Sequence, residues 1–167
     1  MARFVLNSDD LPLRSGGLLM MEKISQRTQD DCTICVVAMV MGLPYTYERV
    51  LQDSQRYPRA DSEGHGLAWW KDYLRDEGFE AEHRPLSDLR SLSDLASLPE
   101  NTRGMLVFEI PHMNTGHIVA IDQFGVVDPQ EHPAEYRSVT DFCEIFKIEG
   151  WRLYSPHFWL VRKRNGP

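Results

Sequence analysis

The stretch SQRTQDDCTICVVAMVMG, residues Ser25 to Gly42, changes from wholly polar to almost wholly apolar at a single cysteine, Cys32. From Asp31 to about Met41 the chain is apolar on every side, the pattern of a helix buried all round. Asp30 or Asp31 is placed to cap that helix, and Gly42 followed by Pro44 closes it. β-Branched residues are frequent here, which leaves a buried strand as the alternative. A thiol with only a packing role belongs inside the apolar run, as Cys35 does. Cys32 stands at its edge, where it can be reached.

Working outward, TYERVLQDSQ predicts a second short helix capped by Thr46. GLAWWKDYLRDEGF predicts a third, with Leu67, Trp70, Tyr73 and Leu74 at helical spacing and Gly78 as its stop. A fourth helical piece is expected over Leu86 to Leu98, ending at Pro99. Then the texture changes. GMLVFEI, HIVAID and GVVDP read as strands, with DQFG as the hairpin turn between the last two. SVTDFCEIFKI reads as helical and HFWLVRK as a closing strand. Helices first and an antiparallel sheet afterwards is an α+β order, a helical half facing a sheet half, with the cleft between them as the expected place for chemistry.

At 167 residues the chain fits one domain over 1–167, with 1–20 as a candidate N-terminal arm or edge strand. Its hydrophobic fraction of 42% is that of a globular protein. A net charge of −7 argues against a nucleic-acid partner, whose phosphates call for a basic surface. The basic VRKRNGP at the C-terminus reads as a solvated tail. The longest apolar stretch, ICVVAMVMGL, is about half of the ~20 residues that a membrane-spanning helix needs. No signal peptide is recognisable, and the three cysteines are an odd number. A reduced, cytoplasmic setting with free thiols is the expectation.

Cys32 falls in the first turn of the buried helix, where unpaired backbone N–H groups favour thiolate over thiol. With a free-cysteine pKa near ~8.5, helix position alone activates it only in part. An imidazole completes the activation, because the ion pair keeps sulfur anionic and later protonates the leaving group. The chain has six histidines, His65, His83, His112, His117, His132 and His157. His117 is the sharpest candidate: it opens an apolar strand directly after Gly116, which lets another group approach closely. A two-residue turn at Gln123-Phe124, or a four-residue one from Asp122 to Gly125, sets Asp128 opposite Val119. That is the sheet face of His117, so the two become diagonal neighbours about 7–8 Å apart at the backbone. A carboxylate there orients the ring and stabilises the imidazolium. A bulged three-residue turn would break this parity. The oxyanion formed on attack needs donors: the Cys32 backbone N–H, and the side-chain amide of Gln26 or Gln29.

QRTQDDC, the AMVMG helix, GHIVAID and VVDP together resemble the papain-like cysteine peptidases, most of all the bacteriocin-processing peptidase domain that cuts after a double glycine. In that type a Gln lies six residues before the nucleophile, often with an acid just before the Cys, and a Gly-His opens a strand that an Asp-Pro follows. Gln26, Asp31, His117 and Asp128 stand at those positions. The resemblance implies a papain-like α+β fold, with Cys32 as nucleophile, His117 as general base and acid, Asp128 as orienting group and Gln26 as oxyanion donor. It also implies a peptide or protein substrate, no cofactor and no metal. Two departures stand out. Thr33 occupies the place of a usual Gly and narrows the cleft, and the chain carries no transporter or ATPase segment, so neither export nor a double-glycine substrate is carried over.

Other readings of the same residues stay open. Cys32 and Cys35 form a C-x-x-C, the spacing of a redox pair, although no βαβ pattern surrounds it. Zinc could draw on both and on His112 and His117. His112 rivals His117 as base or borders the cleft. His65 and Trp69 line a substrate groove in one reading, and Trp69 packs in the core in the other. Cys143 sits on an apolar helix face. A thiol hydrolase, a thiol acyltransferase or transamidase, and a silent peptide-binding module all remain consistent with the sequence, which leaves the oligomeric state open.

Overall fold

A computed structural model describes residues 20–28, 31–57, 69–85, 102–110, 115–142, 144 and 152–164. The apolar run forms a helix, α1 (Cys32–Met41), and not a strand. Ile34 through Met41 are all buried, so its neighbours cover it on every side. The Asp31 carbonyl accepts from Cys35 N at 3.1 Å to start it. At the other end Gly42, at φ 68, turns its amide back onto the Ala38 carbonyl at 2.9 Å. That is the left-handed region, which glycine enters without steric cost. The Arg103 guanidinium donates to the Met39 carbonyl at 3.1 Å, placing a cation at the negative end of the helix.

Helix α2 (Tyr47–Ser54) is capped by Thr46, whose hydroxyl accepts from Arg49 N at 3.4 Å. Helix α3 (Trp69–Asp76) turns Trp70, Tyr73 and Leu74 inward, as its spacing predicts, and Gly78 follows it at φ 81. Leu67, the fourth helical piece over 86–98, His65, His112, Cys143 and residues 1–19 of the expected arm lie outside the described residues. Helical backbone over 139–142 and at 144 fits the reading of SVTDFCEIFKI as far as it is described.

The strands are β1 (Phe79–Pro85), β2 (Arg103–Ile110), β3 (Thr115–Asp122), β4 (Gly125–Val127), β5 (Tyr136–Arg137) and β6 (Arg152–Lys163). Among the described residues they form a six-stranded antiparallel sheet in the order β1-β6-β2-β3-β4-β5. Closing strand β6 starts earlier than HFWLVRK suggests and lies between β1 and β2. At Gly104 of β2 the Phe158 ring of β6 lies so close that a Cβ would come within 2.1 Å of it. Two strands were not expected. β1 carries EAEHR, whose charges mask its alternation, and β5 has only two residues.

Along β3, Ile118 and Ala120 join the core beneath α1 together with Cys35, Met39, Trp70, Tyr73 and Met105. Val119 and Ile121 are equally buried outside that cluster, so β3 is covered on both faces. The β3–β4 hairpin pairs Asp122 with Gly125, Ile121 with Val126 and Ala120 with Val127. This is the register of a two-residue turn at Gln123-Phe124, and Asp128 follows directly on the Ala120–Val127 pair.

Candidate active site

Cys32 is the first residue of α1 and only partly buried, while Cys35, one turn on, is fully buried. Burial, followed by the charges of Asp31 and Cys32, pushes the Cys35 thiol up to about 12. Cys35 is therefore a packed, unreactive thiol, and both cysteines are free.

His117 lies on β3 at 5% exposure, and its Nε2 is 2.7 Å from Asp128 Oδ1, the contact that the hairpin register predicts. The same carboxylate oxygen accepts from Gln130 N at 2.8 Å, which fixes its direction. The His117 ring also meets the Cys32 side chain in a hydrogen-bond interaction. Nε2 is thus committed to Asp128, and Nδ1 is the other ring nitrogen. Burial pulls the imidazole pKa down, but the hydrogen bonds and charges of Asp128 and Cys32 outweigh it, and the net effect raises it to about 9.

A pH dependence follows from that direction. The folded value lies above the ordinary histidine value of 6.5, so this contact stabilises the protein fully below that pH. The contribution is lost as pH rises through about 9. A reaction that uses the imidazolium should fall along an alkaline limb near the same pH. Asp128→Asn keeps an oxygen beside Nε2 but removes the charge, and should move that limb down by ~1 unit or more. A pH–rate profile of the two proteins measures the shift.

Gln26 approaches the same place along the backbone. Its N–H donates to the Pro129 carbonyl at 2.7 Å, next to Asp128 in sequence. Its side-chain Oε1 is buried without a hydrogen-bond partner among the described residues. Gln29 lies outside the described residues. Ser25 Oγ accepts from Ala134 N at 2.8 Å and fastens the segment from the other side.

Asp31 departs from expectation. It occupies the N-cap position but makes no side-chain cap bond to α1. Its Oδ2 turns back to accept from Arg27 N at 3.0 Å, Thr28 N at 3.2 Å and the Tyr47 hydroxyl at 2.6 Å. Burial, the Asp31 hydrogen bond and the Asp31 charge push Tyr47 up to about 12, so its hydroxyl keeps its proton. Sequence reasoning missed Tyr47. The only signal for it was the aromatic ring at the start of TYERV, read there simply as helix.

Among the remaining candidates, Thr33 is partly buried beside Cys32, and Gly116 is exposed beside His117 and pairs with Glu109 of β2. Trp69 is buried to 6% exposure with its ring 6.0 Å from that of Tyr73. That burial matches the packing alternative rather than the groove-lining one. Cys32, His117 and Asp128 are thus brought together, Gln26 is anchored beside them, and Trp69 is held in the core.

No protein-family model matches the chain, and no curated protein matches it. Among solved structures it is similar to the peptidase domain of Streptococcus ComA, described as a bifunctional ABC transporter involved in a quorum-sensing pathway. The TM-score is 0.54 at 14% identity, over 87% of this chain and 99% of that one. At that identity the likeness shows a common fold.

Proposed function

We propose that the protein is a papain-like thiol hydrolase that cleaves a peptide or isopeptide bond. The observation that carries this reading is the His117 ring, which contacts the Asp128 carboxylate on one side and the Cys32 side chain on the other. The fold shared with a peptidase domain supports it.

In this mechanism the Cys32 thiolate attacks the scissile carbonyl carbon, and the carbonyl electrons move onto oxygen. The Cys32 backbone N–H and the Gln26 side-chain amide stabilise that oxyanion. The tetrahedral species collapses, the C–N bond breaks, and the His117 imidazolium protonates the departing amine. A thioester on Cys32 remains. Neutral His117 then takes a proton from water as the water attacks the thioester, releasing the acid and restoring the thiolate–imidazolium pair. Asp128 holds the ring in the required tautomer throughout.

Incubation of the protein with a peptide library, with and without an added amine, tests the reading by mass spectrometry. The expected products carry a new C-terminal carboxylate and disappear in Cys32→Ala. Products that appear only as new amides would assign a transferase. No product and no acyl adduct on Cys32 would overturn the reading.

A further inference from the structure

Asp31 is buried to 6% exposure, and a carboxylate that deep is stable only among donors. Its Oδ2 has three of them, on two separate pieces of chain, while Oδ1 is buried without a partner among the described residues. The Arg27 and Thr28 amides belong to the segment directly after Gln26. The Tyr47 hydroxyl belongs to α2, and the Arg27 guanidinium lies over the Tyr47 ring at 4.1 Å. Asp31 is also the residue whose carbonyl starts α1 and whose chain neighbour is Cys32. One carboxylate therefore ties together the Gln26 segment, the first turn of α1 and α2. The Gln26 N to Pro129 carbonyl bond fastens the same segment beside Asp128.

The direction of the side chain is informative. A carboxylate at the N-cap position normally closes onto helix amides, and this one leaves them alone. That direction fits a carboxylate whose work lies on the loop side.

We propose that Asp31, held by Tyr47, is a positioning residue that sets the Gln26 side-chain amide and the Cys32 backbone N–H around one oxyanion. The proposal rests on the thiol-hydrolase reading above. An oxyanion donor acts only at hydrogen-bond distance, and a misplacement of ~1 Å can cost ~10²-fold in rate.

Two reactions of the same sulfur separate this role from a purely structural one. In alkylation by iodoacetamide, sulfur displaces iodide from carbon and no oxyanion forms. In acylation by p-nitrophenyl acetate, sulfur adds to the carbonyl, an oxyanion forms, and p-nitrophenolate leaves as a measurable burst. Asp31→Ala should slow the burst ~10–100-fold while Cys32 is alkylated at least as fast as in the unmodified protein. Asp31→Asn, which retains an oxygen for the two amides, should recover part of the loss. Tyr47→Phe should show the same split at ~3–10-fold, and it carries the test if Asp31→Ala does not fold. An undiminished burst in Asp31→Ala, or burst and alkylation falling together, would overturn the proposal. Absence of any burst in the unmodified protein would instead overturn the hydrolase reading, and the positioning role with it.

Discussion

Cys32→Ala is expected to leave a folded protein whose acyl transfer has dropped by ~10⁴-fold or more. On the proposed reading Cys32 is the nucleophile, and its loss removes nearly all that the catalytic unit contributes, because the members do not act independently. Stability should hardly change. Cys32 is only partly buried, so the substitution opens no enclosed cavity, and alanine is the better helix former. Cys35→Ala should behave in the opposite way. It truncates a fully buried side chain and lowers the melting temperature, yet acyl transfer survives. A thermal melt and a p-nitrophenyl acetate burst on each variant decide the matter. Activity surviving in Cys32→Ala would remove the sulfur from the chemistry.

Val36→Asp should prevent folding altogether. Val36 has 0% exposure and lies on a helix buried on every side, so no rotation of the side chain brings a carboxylate to water. An unpaired buried charge costs several kcal/mol, comparable with the ~5–15 kcal/mol that stabilises a whole domain. Thr33→Asp, by contrast, adds its charge at a partly buried first-turn position, where the helix dipole favours an anion, and should fold. Far-UV circular dichroism and a melting curve compare the two. Native melting of Val36→Asp would mean that α1 is not enclosed.

The parts of the molecule that the sequence discloses are those fixed by local chemistry. The uniform apolarity of residues 34–41 can be satisfied only by burial on all sides, and α1 is so buried. The short DQFG turn permits a two-residue hairpin, and from it follow the register of β3 with β4 and the His117–Asp128 contact. What stayed hidden depends on partners distant in the chain. β1 is an edge strand made by its pairing with β6, and its alternation is overwritten by charge. β5 is too short to show a pattern. The first part of β6 becomes a strand because Arg152 and Leu153 pair with Glu109 and Phe108 of β2, while β1 pairs only from His157 onward. Asp31 read as a helix cap because local propensity favours that use. Its real donors include Tyr47, sixteen positions away, and only the packing of α2 on α1 brings them together.

On the proposed reading His117 holds the Cys32 sulfur in its reactive form. Competitive alkylation by iodoacetamide at pH 6, read site by site by mass spectrometry, measures this directly. An ordinary thiol with a pKa near ~8.5 is less than ~1% ionised there. Cys32 should be alkylated well ahead of Cys35 and Cys143, and His117→Ala should abolish that lead. Exposure alone can also favour Cys32 over a buried Cys35, so the substituted protein is the deciding sample. A lead that survives His117→Ala, or slow labelling at equal rates on all three cysteines, would contradict the account.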